Sequence, residues 1–146
     1  MESDKVNRAW LFAREKHDGQ KDDLGKDYFE THLAVVYSIL QKVTNNEDIL
    51  SAGLLHDTLE DTDTTYEELV KKFGQNVAFL VAEVTHEGKA DKHGFYFPRL
   101  KTKEAIIIKF ADRLSNISRM ENWDKKKKEQ YLRKSKFWRS ENEKIN

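Results

Sequence analysis

Residues 52–61 read Ala52-Gly53-Leu54-Leu55-His56-Asp57-Thr58-Leu59-Glu60-Asp61, an apolar run that ends abruptly in a histidine and three acids. Polar groups at the end of a buried helix need partners, because burying them unpaired is costly. A metal ion is one such partner; a plain helix-end polar pair is the other reading. Glu60 and Asp61 follow His56 and Asp57 by four residues. A helical turn here would bring each acid onto the face of its predecessor. Charge decoration ahead of the next helix is the alternative.

Apolar residues at three- and four-residue steps continue on both sides of this run, which predicts helices. Val6, Trp10, Ala13 and His17 mark a helix over about 4–17. A polar loop with two glycines fills 18–28. A helix then opens at His32 and carries Leu33, Val36, Leu40 and Val43. Asn45-Asn46 can cap the helix of Ile49, Ala52 and Leu55. Thr64-x-x-Glu67 reads as a capping box for a helix through Phe73, which Gly74 breaks. Val77, Leu80, Val81 and Val84 mark another. After a loop over 87–98, a long helix is expected over about 100–119, with Ile106, Ile107, Phe110, Leu114 and Ile117 inward. The run Ile106-Ile107-Ile108 is β-prone, but the helical spacing persists beyond it. A last helix is expected over about 124–140, with Tyr131, Leu132, Phe137 and Trp138. The expectation is an all-α bundle of six or seven helices in one domain over 1–146, with its core over about 5–120.

Composition agrees with a globular chain. Charged residues reach 36%, above the usual ~25%, yet the net charge is zero and aromatics are 11%. Disordered chains combine few aromatics with high net charge. The absence of cysteine excludes disulfides, thiolate metal sites and thiol nucleophiles. The N-terminus has no apolar leader and no long apolar run exists, so a cytoplasmic protein without a membrane partner is expected. Residues 99–139 hold 14 Lys/Arg against 5 Asp/Glu, whereas 57–68 hold six acids and no base. On charge alone, two oppositely charged solvated faces are the simpler reading. A cation site serving an anionic substrate is the other.

Two more residues complete a candidate site. His32 opens a helix after a loop, and Asp112 is embedded in the apolar run Ile106–Leu114. An Asp in such a place is rarely buried unless paired or liganded. A salt bridge to Lys109 or Arg113 is the plain alternative, although Arg113 should point elsewhere on the helix. Two His and two Asp make a mixed N/O set suited to Mn²⁺, Fe²⁺, Zn²⁺ or, less well, Mg²⁺. Four such ligands on a six-coordinate ion leave two positions for water and substrate.

The pattern His32 … His56-Asp57 … Asp112 resembles the metal-binding set of the HD-domain superfamily. "HDGQ" at 17–20, "GKDYFETH" at 25–32, "LLHDTLEDT" at 54–62, "FG" at 73–74, "LVAEVTH" at 80–86 and "IKFADRLSNI" at 108–117 are similar to the hydrolase domain of RelA/SpoT-type enzymes. With no room for a synthetase domain, the likeness is to a small alarmone hydrolase. The resemblance implies removal of the 3′-pyrophosphate of guanosine tetra- or pentaphosphate (ppGpp), generally with Mn²⁺. It implies metal ligation by His32, His56, Asp57 and Asp112, and water positioning by Glu60 and Asp61. Asn116 corresponds to a residue near the sugar and phosphates. Arg113, Lys21 and Lys26 are the cations available to the substrate. Where the family carries an Arg-Lys pair and a Ser beside the guanine, this chain has Lys21-Asp22-Asp23-Leu24. The family's Pro positions before the Tyr and after the ligand His are Asp27 and Leu33.

That altered loop motivates a second reading, the same metal chemistry on a dNTP, a nucleoside monophosphate or NADPH. A third is a non-catalytic nucleotide-binding regulator, against which the complete ligand set argues. His17 is expected to pack or to hold the loop rather than to bind metal. His86 and His93 are expected at the surface, and Lys125–Lys128 on a solvated helix face without a nucleic-acid partner. Trp123, Tyr131 and Trp138 are expected in the core or at an interface, which leaves room for a homo-oligomer.

Overall fold

The first helix, α1 (Asp4–Lys16), has an acid in its first turn and Arg14 and Lys16 in its last, matching the helix dipole. It buries Val6, Ala9 and Ala13; the two alanines let it lie close against α3 (Glu47–Leu55). The structure is a computed structural model that describes residues 4–86, 100, 102–118, 125–126 and 129. Trp10 of α1 meets Phe29 and Tyr37 edge-on, at 4.8 and 5.5 Å between centroids. Lys5 and Asn76 both bond the Asp48 carboxylate, at 2.9 and 2.7 Å. This ties α1, α3 and α6 (Gln75–His86) together at one end.

The loop after α1 is closed on itself. Lys21 and Asp27 form an antiparallel bridge, with Tyr28 N bonded to Gln20 O at 2.9 Å. Gly19 and Gly25 take positive φ, +84° and +78°, at its two bends. The chain then enters a π-helical turn, Phe29–Leu33, that runs directly into α2 (Ala34–Gln41). The helical segment thus starts three residues before His32. Its apolar stripe stops at Leu40: Val43 lies past the helix end and is 68% exposed, contrary to the expectation.

Asn46 caps α3, its side chain accepting from the Asp48 and Ile49 amides. Every residue from Ile49 to Leu55 is buried. Gly53 lets α2 pack close to α3: a methyl group there would meet Leu40 Cδ1, which would have to move aside. A single turn, α4 (Thr58–Asp61), follows. The cap of α5 (Tyr66–Phe73) is Thr65, not Thr64; its hydroxyl accepts from Glu68 N. Thr64 is buried and its hydroxyl is engaged with that of Thr62. Gly74, with φ +94°, turns the chain into α6.

The last well-described helix, α7 (Lys103–Ser118), is opened by Thr102, whose hydroxyl accepts from Ala105 N. Glu83 of α6 accepts from Thr102 N and Oγ1, fixing the start of α7 on α6. The inward face of α7 differs from the expected one. Ala105, Ile108, Asp112 and Ser115 are buried, whereas Phe110 and Leu114 are 39% and 50% exposed. Helical residues two apart point to nearly opposite sides, so turning Asp112 inward turns Phe110 and Leu114 outward. Ile106, Ile107 and Ile117 are intermediate. Among the described residues no helix is long and apolar enough to cross a membrane. The loop over 87–98 lies outside the described residues, as do His93, Trp123, Tyr131, Trp138 and all of the helix expected over 124–140 except Lys125, Lys126 and Glu129.

Candidate metal centre

Three elements bring the sequence-predicted ligands together. His32 comes from the π-helical turn, His56 and Asp57 from the end of α3, and Asp112 from α7. His32 Nε2 and His56 Nε2 both face Asp112 Oδ1, at 2.9 and 3.1 Å. Asp57 Oδ2 lies 3.3 Å from His56 Nε2 and 3.7 Å from His32 Nε2. One ligand atom each from His32, His56 and Asp57 falls within 4.8 Å of the others. Both histidines are buried, and Asp112 is 7% exposed.

The outer atoms of these residues are also engaged. His56 Nδ1 donates to Gly53 O at 2.7 Å, which holds a proton on Nδ1 and turns Nε2 toward the carboxylates. His32 Nδ1 is 2.9 Å from Ser115 Oγ. The Tyr28 hydroxyl donates to Asp57 Oδ2 at 2.7 Å. Ligating histidines in metal sites are typically held this way through the second ring nitrogen.

The pocket demands positive charge. Burial works against a charged His56, but the nearby Asp57 and the hydrogen bond to Asp112 outweigh it and push the ring up to about 9. Burial likewise opposes ionised Asp112, and the bonds from His32 and His56 overcome it, holding the carboxyl well below its usual range. Two inward imidazole nitrogens facing two carboxylates, with their other nitrogens already bonded, fit a divalent cation.

Asp112 also serves the interaction that stood as the alternative. Its Oδ2 lies 4.0 Å from Lys109 Nζ and 3.8 Å from Arg113. Arg113 therefore does not point elsewhere: the two carboxylate oxygens divide, one toward the histidines and one toward the cations. Lys109 and Arg113 are both buried.

Glu60 and Asp61 are exposed on the α4 turn. Asp61 N bonds Asp57 O at 2.9 Å, so the turn is helical as the spacing required. Asp61 Oδ2 accepts from Gln20 Nε2 at 3.2 Å. Desolvation, and then Asp57, raise the Asp61 carboxyl above its ordinary value. Asn116 sits one turn beyond Asp112 on α7 and is partly buried. Lys21 and Lys26 are exposed on the bridged loop. Asp22, one of the acids where cations were expected, turns onto the loop itself: its Oδ1 accepts from Leu24 N and Lys26 N at 2.9 Å. His17 is buried and holds the loop through Gln20, as expected.

Sequence reasoning gave no role to Tyr28, Ser115, Gly53 or Gln20. Tyr28 and Gln20 stood inside quoted motifs, which was a signal. Ser115 likewise stood inside the quoted run 108–117; the Gly53 carbonyl carried no signal, because a backbone oxygen looks the same in any helix.

The HD domain family matches residues 9–94 of this chain. A guanosine-3′,5′-bis(diphosphate) 3′-pyrophosphohydrolase of Aquifex aeolicus is 41% identical over 123 residues, which cover 79% of this chain and 18% of that protein. The bifunctional (p)ppGpp synthase/hydrolase SpoT of Escherichia coli is 35% identical over 127 residues, covering 77% of this chain and 18% of the relative. The chain thus spans 18% of the length of these two curated relatives. A solved structure described as a metazoan ortholog of SpoT that hydrolyzes ppGpp and plays a role in starvation responses superposes with a TM-score of 0.77. It is 28% identical, and the match covers 94% of this chain and 84% of that one. The family match runs through the segments that carry His32, His56 and Asp57, and the chain belongs to the HD-domain family.

Proposed function

We propose that this domain is a divalent-metal-dependent phosphohydrolase that removes the 3′-pyrophosphate of guanosine tetra- or pentaphosphate. The observation that carries the reading is the convergence of His32, His56, Asp57 and Asp112, with a second pair of acids one helical turn away. The names of the two curated relatives and of the solved ortholog support the choice of substrate.

In this reading His32, His56, Asp57 and Asp112 hold the cation; the mixed N/O set suits Mn²⁺, Fe²⁺ or Zn²⁺ and, less well, Mg²⁺, and the likeness to alarmone hydrolases favours Mn²⁺ among them. When bound, the ion supplies Lewis acidity that activates water and offsets phosphoryl charge. Asp61 takes the proton as the water oxygen adds to phosphorus and the bond to the ribose 3′ oxygen breaks; passed on to that oxygen, the proton leaves a 3′ hydroxyl and free pyrophosphate. A carboxyl raised above its ordinary value is better matched to that task near neutral pH. Glu60 orients the water beside it. Asn116 and Arg113 on α7, with Lys21 and Lys26 on the loop, face the sugar and phosphates of the nucleotide.

One observation favours a second reading, the same chemistry on another nucleotide. Asp22 is spent on closing the loop at the point where the family presents cations to guanine. Metal analysis of the purified protein, then a nucleotide panel with Mn²⁺, separates the two. Release of pyrophosphate from ppGpp supports the first, and turnover of a dNTP, nucleoside monophosphate or NADPH in its place supports the second. Metal-loaded protein that turns over none of them refutes both.

A further inference from the structure

His17 and Gln20 lie outside the ligand set, yet they reach it by two routes. Gln20 Nε2 donates to Asp61 Oδ2 at 3.2 Å, and Gln20 Oε1 lies 2.7 Å from His17 Nδ1. The His17 ring tilts onto Tyr28, whose own hydroxyl holds Asp57. Gln20 is an unusually well-anchored loop residue. Its amide bonds His17 O at 3.0 Å, and its carbonyl accepts from Tyr28 N at 2.9 Å.

The hydrogen-bond chain has a direction. An ionised carboxylate only accepts, so Gln20 must turn its NH₂ to Asp61 and its oxygen to His17. That oxygen only accepts, so His17 must carry its proton on Nδ1. His17 is 1% exposed, and its Nε2 meets no polar partner among the described residues. Of the two tautomers, the one with Nδ1–H buries a lone pair there; the other would bury an N–H and leave Gln20 Oε1 without its donor. Each group along the chain fixes the orientation of the next.

We propose that Gln20 is a positioning residue that aims the Asp61 carboxylate, and that His17 sets the orientation of the Gln20 amide. The proposal rests on the reading of Asp61 as the group that takes the proton from water. It gives "HDGQ" a task beyond holding the loop.

The test is steady-state kinetics on Mn²⁺-loaded protein with ppGpp as the probe, together with Mn²⁺ titration of the same samples. Gln20→Leu deletes the donor and keeps the bulk; kcat should fall about tenfold, the loss of one hydrogen bond to a charged group. KM and Mn²⁺ affinity should stay at wild-type values, because Gln20 touches neither the ligands nor, in this reading, the nucleotide. His17→Phe keeps the ring on Tyr28 and removes the Nδ1 donor, and it should add little to Gln20→Leu in the double variant. Asp61→Asn separates the two levels. Wild-type kcat in Asp61→Asn overturns the role of Asp61 and this proposal with it. Wild-type kcat in Gln20→Leu beside an inactive Asp61→Asn overturns the proposal alone, as does a loss expressed in KM or in Mn²⁺ affinity.

Discussion

Removing the Tyr28 hydroxyl is expected to weaken metal binding while leaving the fold in place. The hydroxyl donates to Asp57 Oδ2 at 2.7 Å, and the Asp57 side chain is 19% exposed. A hydrogen bond to a charged group contributes about 1.5–3 kcal/mol. Asp57 keeps some access to water, so the low end applies, and about 1.4 kcal/mol corresponds to a tenfold weaker Kd. Outer-sphere partners of metal ligands cost about 10–100-fold when removed, which brackets the same figure. The assay is thermal unfolding of wild type and Tyr28→Phe, with and without Mn²⁺. At a metal concentration of about 100 Kd for wild type, binding stabilises it by about 2.7 kcal/mol. The same concentration is about 10 Kd for the variant and stabilises it by about 1.4 kcal/mol. The metal-induced rise in Tm should therefore shrink by about 3–5 °C, at about 2–4 °C per kcal/mol for a chain of this size. Equal metal-induced shifts in the two proteins, with calorimetric Kd values that agree, would refute the assignment of Tyr28 as the group that holds Asp57.

Three further outcomes are expected. Chelation should abolish turnover and lower Tm, and added Mn²⁺ should restore both; turnover that survives exhaustive chelation counts against the metal reading. Leu54 is fully buried, so Leu54→Ala should cost about 2–5 kcal/mol in urea unfolding, and a loss below about 1 kcal/mol would mean that this part of the core is loosely packed. Burial tends to raise Asp48, but the bonds from Asn76 and Lys5 outweigh it, and the carboxyl is lowered from its ordinary 3.8. A depressed carboxylate adds stability that is present above its unfolded pKa and lost as the pH falls through the folded value. Wild type should thus lose stability below about pH 4 more steeply than Asp48→Asn, measured by unfolding at fixed pH steps; parallel acid limbs would show that the Asp48 bonds carry no net free energy.

Three of the four candidate ligands were legible because they sat where their chemistry was out of place. His56-Asp57 ended an apolar run, and Asp112 interrupted one. The helices around them followed from spacing alone. The capping choice did not, because Thr64-x-x-Glu67 and Thr65-x-x-Glu68 are overlapping matches to the same signature. Only the capture of the Thr64 hydroxyl by Thr62 decides between them. The inward face of α7 was misread for a related reason. Hydrophobicity pointed to Phe110 and Leu114, whereas the buried face holds small and polar side chains, Ala105, Asp112 and Ser115, beside Ile108. Turning Asp112 inward leaves Phe110 and Leu114 on the outer side, while Ile108 stays inside. The contact of Ser115 with His32 arises only from tertiary approach, whereas the Gly53 carbonyl, three residues before His56, looks like any other helix backbone oxygen.

Gly53 joins two properties that are usually separate. Its missing side chain admits Leu40 of α2, and its carbonyl orients His56. His32 rides on the segment that leads into α2, and His56 stands at the end of α3. The close approach of α2 to α3 at Gly53 thus bears on the placement of both imidazoles, as the frame of a calliper bears on its jaws. Substitutions at Leu40 or Val36, whose side chains lie against Gly53, would then reach His56 through the backbone that orients it.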